Sequence, residues 1–279
     1  MFHYGTEYDF GGIWFNLLPA GQKRLSCYAV KRAYGGDTSH DNTPPVISDL
    51  TVEGGAGSVQ AGRDLTLSVK ASDPDGDRVG HGVLDNSNYL DGSKQLVSLP
   101  FTDLGGGRLR FTAPDRPGVW KVYVKATDGH GNVGVETRSI RVVPPAVNGT
   151  DIALGKPATA SSFQAGYGDC PCTAANAVDG KLTTRWASDW SDPQWIQVAL
   201  GARISFKHVQ LVWESSYAKA YTVRTSDDGR NWQTLRTVSD GNGGVDDLDA
   251  SGTGRYVRVN GTARGTGYGY SLYEFGVYN

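Results

Sequence analysis

The sequence predicts an all-β protein of two successive β-sandwiches, preceded by a short β/α segment. Its 279 residues include 38 glycines and 12 prolines, a composition that suits many tight turns. Apolar and polar residues alternate in short runs such as Leu65-Thr66-Leu67-Ser68-Val69, which is the period of a half-buried strand. The length suits about two domains. We therefore assign residues 44–145 and 146–279 to the two sandwiches.

Residues 1–43 have a different pattern, in which an apolar run is followed by a helical period. Residues 12–18 are typical of a strand. The helical period places Leu25, Tyr28, Ala29 and Ala33 on one face of a helix that Gly35 ends. The segment resembles the last β/α unit of a barrel-type glycoside hydrolase, which implies that the catalytic residues lie upstream of this chain. Glu7 and Asp9 would then lie at the edge of that active site.

Residues 44–145 begin at Pro44-Pro45 and contain short alternating strands separated by turn clusters. This spacing predicts an immunoglobulin-like (Ig-like) sandwich. The run from Pro117 to Val124, followed by Asp128-Gly129, resembles the penultimate strand of bacterial Ig-like and polycystic-kidney-disease-type repeats, and the resemblance implies a spacer domain. The turn Asp73-Pro74-Asp75-Gly76-Asp77 lacks the glutamate that completes an EF-hand loop, so we interpret it as an acidic turn rather than a metal site.

Four segments of residues 146–279 carry a further resemblance. They are Ala174 to Trp186, Trp190 to Ile196, Leu211 to Glu214, and Tyr268 to Phe275. Together they resemble carbohydrate-binding module family 32, which is a discoidin-type (coagulation factor 5/8 type C, galactose-binding-like) β-sandwich. The resemblance implies sugar binding rather than catalysis.

The first candidate site in this domain is a structural calcium site. Calcium takes about six to eight oxygen ligands, from carboxylates and from carbonyls exposed in tight turns. Residues 176–184 have this character, because Asp179 precedes Gly180 and threonines follow. The resemblance implies Asp179 and Glu274 as side-chain ligands, Thr184 by hydroxyl or carbonyl, and Ala177, Lys181 and Tyr273 by carbonyl. The alternative is a turn held by hydrogen bonds without a metal.

The second candidate site would bind sugar. Pyranose rings offer apolar C–H faces and rims of hydroxyl groups, so recognition needs an aromatic surface and charged groups that fork onto hydroxyl pairs. The positions that match the family's site are Gln164, Arg185, Trp190, Glu214 and Tyr268. Trp190 lies in a polar loop, which favours stacking on a sugar. Trp186, Trp195 and Trp213 lie in alternating strands and are predicted to be core residues.

Gln164 bears on which sugar is bound. Relatives that bind cationic glucosamine chains carry a carboxylate at this position, and a neutral amide loses the Coulombic attraction for an ammonium group. We therefore expect a neutral β-glucan or a galactose-type glycan. Arg185 and Glu214 could also pair with each other, which would not exclude contacts to sugar hydroxyls.

Three cysteines are too few for a disulfide framework. Cys170 and Cys172 flank Pro171, and they either close a small strained ring or remain thiols in a loop. Cys27 is most simply a small buried apolar residue on the N-terminal helix.

The sequence thus favours a non-catalytic carbohydrate-binding part of a secreted bacterial polysaccharide-degrading enzyme. It has no Gly-x-Ser-x-Gly, His-Glu-x-x-His or phosphate-loop motif, so we expect no catalytic residue and no activity of its own. The net charge of −2 argues against nucleic acid, and no apolar run approaches the ~20 residues of a membrane span. We expect a monomer that binds a polysaccharide or oligosaccharide. The alternatives are part of an active glycoside hydrolase, and a discoidin-type adhesion or lipid-binding module.

Overall fold

The computed structural model describes residues 25–36, 42–55, 57–85, 97–165 and 171–279. Contacts divide the chain into two units; the main part of the first ends at Arg141, and the second continues from Val142 to Asn279. The predicted strand at residues 12–18, together with Glu7 and Asp9, lies outside the described residues. The predicted limits of the three domains remain predictions.

Strands dominate the described residues, and the prediction of an all-β fold is confirmed. Before Pro144 the elements are α1 (Leu25–Ala33), β1 (Val46–Val52), β2 (Ser58–Gln60), β3 (Asp64–Ser72), β4 (Gly80–Asp85), β5 (Val97–Ser98), β6 (Thr102–Asp103), β7 (Arg108–Thr112), β8 (Gly118–Thr127) and β9 (Val133–Val143). After it come β10 (Ala158–Ala160), a 3-10 helix (Ala174–Val178), β11 (Trp186–Ala187), β12 (Gln194–Trp213), β13 (Ala218–Ser226), β14 (Gln233–Val238), β15 (Val245–Arg264) and β16 (Ser271–Tyr278).

The first unit contains two sheets, with strand orders β1-β3-β7-β6 and β2-β9-β8-β4-β5. The predicted alternation holds in β3, where Leu65, Leu67 and Val69 are buried. Phe111 of β7 meets Trp120 of β8 edge-on, with ring centroids 5.8 Å apart, so the apolar faces of the two sheets pack together. The Ig-like assignment of this unit, and its role as a spacer, remain predictions.

The acidic turn in this unit is held by hydrogen bonds. Oδ1 of Asp73 accepts from the backbone N–H groups of Asp75, at 2.9 Å, and Asp77, at 3.3 Å. The carboxylates of Asp75 and Asp77 accept in turn from Thr43 and Asn42. These hydrogen bonds agree with the interpretation of the segment as a turn.

The second unit is built on one sheet with strand order β11-β16-β12-β15-β13-β14, and β10 pairs with β12. Its core contains Ile196, Val198, Val257 and Val259, all at most 3% exposed. Apolar and polar residues alternate in residues 195–198 and again in residues 208–213, which predicts two separate strands, whereas β12 continues from 194 to 213. The pairing of β12 with β15 shifts register between Ala199 and Ile204, where Gly201 has φ +90°. A glycine-dependent bulge therefore turns the strand without ending it.

Among the described residues, no helix is long and apolar enough to cross a membrane.

Candidate functional site

The candidate sugar site lies where β11 and β12 meet the beginning of β16. Leu272 of β16 is in register with Trp186 of β11 and with Trp213 of β12. All three side chains are buried, at 0–2% exposed, so these pairings are anchored in the core. Arg185 precedes Trp186 and Glu214 follows Trp213, so the same pairing brings both charged residues to one edge of the sheet.

Arg185 and Glu214 form an ion pair, with Nη1 and Oε1 3.3 Å apart. The Glu214 carboxylate also accepts hydrogen bonds from the Ser215 hydroxyl, at 2.7 Å, and from the Ser216 N–H, at 3.1 Å. Both charged side chains remain partly exposed, at 32% for Arg185 and 17% for Glu214. The pair therefore has fixed geometry and can still offer donor and acceptor atoms to adjacent sugar hydroxyls.

Trp190 and Tyr268 form the aromatic part of the site. Their rings meet edge-to-face, with centroids 5.3 Å apart and an interplanar angle of 85°. Trp190 is 46% exposed and Tyr268 is 59% exposed. Large exposed rings that contact each other present two perpendicular apolar surfaces, which suits the C–H face and the edge of a pyranose.

Asp192 joins the loop of Trp190 to the loop of Tyr268. Its carboxylate accepts a hydrogen bond from the Tyr270 hydroxyl and pairs with Arg264, whose Nε lies 3.3 Å from Oδ2. Arg264 in turn donates from Nη1 to the Tyr268 carbonyl, at 3.2 Å. Burial, followed by the hydrogen bond to Asp192, raises the pKa of Tyr270 above its ordinary value, so the hydroxyl keeps its proton and remains a donor.

All five predicted sugar-site residues line one cleft of about 260 Å³. They are Gln164, Arg185, Trp190, Glu214 and Tyr268. Gln164 reaches it because its backbone N–H bonds to the Ala187 carbonyl at 2.8 Å. The lining also contains the backbone or side chains of Ser188, Ser215, Ser216, Gly269 and Tyr270, which the sequence analysis did not single out. The sequence marks these residues only by their closeness in the chain to the predicted site residues. The sugar-binding role of the five remains a prediction.

Gly269 gives a prediction about how the cleft is held together. A Cβ at this position would lie 2.7 Å from Ser188 Oγ and 2.8 Å from the Asp189 carbonyl, and these atoms belong to the loop of Trp190. We expect Gly269→Ala to separate the two aromatic loops, weaken glycan binding at least tenfold, and cost about 1–3 kcal/mol of stability because of overpacking. Titration calorimetry with an oligosaccharide and a thermal melt measure the two effects.

Gly267 provides the matched control, since a Cβ there would meet nothing within 4 Å. Gly267→Ala should leave both binding and melting temperature unchanged. Equal affinities of the two alanine variants would show that the packing at Gly269 does not shape the site.

The tryptophan predictions hold in two of three positions. Trp186 and Trp213 are buried core residues, as predicted. The prediction for Trp195 is wrong, because this side chain is only half-buried and lies against the guanidinium of Arg258. Its neighbour Ile196 points into the core, and the pleat of a strand sends adjacent side chains to opposite faces.

The predicted calcium ligands lie in two segments that the fold brings together. The 3-10 helix Ala174–Val178 ends at Asp179, whose Oδ1 accepts from the Lys181 N–H at 2.9 Å. The Thr184 hydroxyl donates to the same carboxylate, 2.8 Å from Oδ2. The turn is therefore hydrogen-bonded, as the metal-free alternative requires, and it leaves the Lys181 carbonyl 3.3 Å from the Thr184 hydroxyl.

The surroundings of Glu274 in β16 indicate whether the predicted calcium ligands suit a cation. Its Oε1 is buried without a hydrogen-bond partner among the described residues. Burial raises the pKa of Glu274 to about 8, and the charges of Asp179 and Asp151 add to the shift. An orphaned carboxyl oxygen beside a second carboxylate is a cost that a divalent cation would relieve. The two carboxylates are compatible with a cation, and Ala177 and Tyr273 are the predicted carbonyl ligands near them in the chain. The calcium site remains a prediction.

Cys172 is fully buried and disulfide-bonded, so the alternative of a free thiol at this position is wrong. Cys170 and the side chain of Cys27 lie outside the described residues.

Comparison with known proteins gives a family match for the second unit. The F5/8 type C domain family matches residues 157–275. This supports the predicted discoidin-type identity of that part of the chain. A polysaccharide lyase 8 family protein of Enterococcus faecalis, HylA, is 34% identical in an alignment 102 residues long that covers 34% of this chain. The chain spans only 7% of the length of that relative.

Three solved structures illustrate the similarity. Chitosan-binding module 1 of a chitosanase/glucanase from Paenibacillus sp. IK-5 is 47% identical and covers 47% of this chain and 99% of its own, with a TM-score of 0.44. Chitosan-binding module 2 of that enzyme, in complex with chitotriose, is 40% identical over 46% of this chain and all of its own, with a TM-score of 0.44. A Clostridium perfringens module in complex with GalNAc-β-1,3-galactose is 23% identical over 47% of this chain and all of its own, with a TM-score of 0.43.

Proposed function

We propose that the domain within residues 146–279 binds a glycan in the cleft formed by Gln164, Arg185, Trp190, Glu214 and Tyr268. The observation that carries the proposal is the convergence of an exposed aromatic pair and a fixed Arg–Glu pair in one cleft. Stacking on Trp190 and Tyr268 would orient the ring, and the ion pair would select the positions of its hydroxyls. The match of residues 157–275 to the F5/8 type C family is compatible with a binding domain.

We further propose that the glycan is neutral, a β-glucan or a galactose-type chain. Among the described lining residues the charged side chains are Arg185 and Glu214, and they compensate each other. Gln164 adds an amide without charge. A cationic sugar would therefore find no unpaired carboxylate in the lining, so it would gain little Coulombic energy.

Titration calorimetry with three oligosaccharides tests this proposal: a neutral β-glucan trimer, a galactose-terminated disaccharide and a glucosamine trimer. We expect a dissociation constant of about 0.1–1 mM for a neutral sugar, and weaker binding of the glucosamine trimer. Gln164→Glu should strengthen binding of the glucosamine trimer, because it adds to the lining a carboxylate that can attract the ammonium groups. A glucosamine trimer bound tenfold more tightly than either neutral sugar would refute neutral specificity. Failure of all three to bind would refute the glycan site.

The role we propose for the chain is to tether a secreted bacterial polysaccharide-degrading enzyme to its glycan. The alternative of an active glycoside hydrolase predicts release of reducing ends from a β-glucan by the purified protein, whereas we expect none. The alternative of lipid adhesion predicts binding to liposomes. The polar Ser–Asp residues around Trp190 argue against it, because membrane insertion needs an apolar loop tip.

We also propose a structural calcium ion held by Asp179, Glu274 and Thr184 together with the carbonyls of Ala177, Lys181 and Tyr273. The orphaned Oε1 of Glu274 is the observation that supports it. The ion would join the turn after the 3-10 helix to strand β16 and would take no part in chemistry.

Calcium should therefore raise the melting temperature of metal-stripped protein. A ligand bound only by the native state adds about 2.7 kcal/mol at a concentration one hundred times its dissociation constant, which corresponds to a rise of roughly 5 °C or more. Glu274→Gln should abolish the rise, because the neutral amide keeps the shape of the side chain and loses its charge. Asp179→Ala should abolish it too, in addition to losing the turn's hydrogen bonds. Calorimetric melts with and without saturating calcium measure this rise in melting temperature, which we call the calcium increment.

Asp227→Ala is the control for these variants. Asp227 is an exposed carboxylate of the same domain that pairs with Arg203 at 3.1 Å, far along the chain from the turn. This variant should keep the full calcium increment. A wild-type protein that melts at the same temperature with and without calcium would contradict the metal site.

A further inference from the structure

The outward face of the sheet in the second unit carries a cluster that the cleft does not use. Along β12, β15 and β13, the inward side chains Ile196, Val198, Val223, Val257 and Val259 are at most 3% exposed. The alternating residues Trp195, Gln197, Arg224, Arg258 and Asn260 are half-buried on the opposite face. This face is therefore aromatic and basic, while the domain's core lies behind it.

Arg258 is held between two indole rings. Its guanidinium carbon lies 4.2 Å from the ring centroid of Trp195 and 3.9 Å from that of Trp232. Nε and Nη2 both donate to Oε1 of Gln197, at 3.1 and 2.5 Å. We call Trp195, Arg258 and Trp232 the Trp–Arg stack. It fixes the position and orientation of the guanidinium through cation–π contacts and a forked hydrogen bond.

A second arginine faces this stack. Arg224 of β13 is the direct cross-strand partner of Arg258, and its Nε donates to the Thr222 hydroxyl at 2.9 Å. Like charges directly opposite each other destabilise a sheet. Burial, followed by the charge of Arg224, lowers the pKa of Arg258. The neighbours that fix these two guanidinium groups, Gln197 and Thr222, are neutral.

Neither arginine forms an ion pair with an Asp or Glu of the described residues, although the chain as a whole is acidic, with a net charge of −2. A glutamate in place of Gln197 would satisfy Arg258 and remove the repulsion. Two neighbouring guanidinium groups are therefore fixed in place by neutral partners, and among the described residues no carboxylate balances their charge.

We propose that this face is a second binding site, independent of the cleft, for an anionic sugar residue. The acid group of the sugar would lie between Arg224 and Arg258, and its ring would contact the Trp–Arg stack. A planar carboxylate matches the fork of donors that a guanidinium presents, and a sulfate group offers the same oxygens. An indole surface beside the cations supplies the apolar contact that sugar rings require. The ligand class is a uronate-containing or sulfated glycan.

Titration of the full chain with three trisaccharides tests this site: a trigalacturonate, its methyl ester and a sulfated neutral trisaccharide. We expect at least one anionic probe to bind, with at least tenfold preference over the uncharged ester, and its affinity to fall with added salt. Whichever anionic probe binds more tightly identifies carboxylate or sulfate as the recognised group. Equal binding of the ester, or no binding of either anionic probe at about 10 mM, overturns the proposal.

Two variants separate a binding role from a structural one. Arg224→Gln should weaken anion binding at least tenfold and leave the binding of neutral glycan in the cleft unchanged, with an equal or higher melting temperature because a repulsion is removed. Gln197→Glu should also abolish anion binding, and it should raise the melting temperature by pairing with Arg258. If both variants bind the anionic probe as wild type does, the arginines do not form the site. If Arg224→Gln lowers the melting temperature, the pair is structural and the proposal fails.

Discussion

Trp190→Ala is expected to abolish detectable glycan binding while the domain stays folded. A dissociation constant of about 0.1–1 mM corresponds to only about 4–5.5 kcal/mol, and a shallow cleft obtains much of that from its aromatic surface. Trp190 is 46% exposed and its ring contacts Tyr268, so we expect its removal to leave no large cavity. Titration calorimetry measures the loss, and circular dichroism with a thermal melt measures the fold.

A matched control is available in the same domain. Phe163 is 52% exposed and does not line the cleft, so Phe163→Ala should bind glycan as wild type does. Trp190→Phe keeps an aromatic face and should fall between wild type and Trp190→Ala. Normal binding by Trp190→Ala would mean that the site lies elsewhere, and the assignments of Arg185, Glu214 and Tyr268 would fail with it.

Trp213→Ala is expected to have the opposite profile, with a large loss of stability. Trp213 is 2% exposed, packs edge-to-face on Tyr221 with centroids 5.6 Å apart, and donates from Nε1 to Asp246 at 2.7 Å. Truncating a buried tryptophan costs about 3–5 kcal/mol through lost burial and the remaining cavity. Of its side-chain hydrogen bonds within the described residues, Asp246 would then keep the one from the Tyr221 hydroxyl. The free energy of unfolding of a domain is only about 5–15 kcal/mol, so this substitution removes a large part of it.

Chemical denaturation at 25 °C measures this loss directly, and comparison with Trp190→Ala separates the two roles. We expect the denaturation midpoint to fall strongly for Trp213→Ala and to remain near wild type for Trp190→Ala. Trp213→Phe should recover part of the loss, because it refills most of the cavity but cannot donate to Asp246. A stable Trp213→Ala domain that fails to bind glycan would instead place this residue in the site.

Local patterns were enough to predict where several strands form, whereas the cleft residues were predicted from the family resemblance. Alternation in residues 65–69 and 195–198 corresponds to real strands, because a pleated strand buries every second side chain. The polar surroundings of Trp190 predicted its exposure for a similar reason, since a large ring among Asp and Ser residues has no apolar face to pack on. Alternation alone does not show which of the two sets of side chains faces the core, and the predicted core position of Trp195 was wrong.

By itself, then, the sequence determined the all-β class, the core positions of Trp186 and Trp213 and the five residues that line the cleft. Only the tertiary structure decided which charges meet. Arg185 and Glu214 pair because Leu272 is in register with two strands. Oε1 of Glu274 is buried, and the carboxyl group lies beside Asp179, because β16 and the turn after the 3-10 helix are neighbours in space. Arg258 lies between Trp195 and Trp232 because β12, β15 and the loop before β14 are adjacent in space. Strand pairing joins residues far apart in the chain, and burial sets the electrostatic cost of each charge, so neither can be read from local sequence.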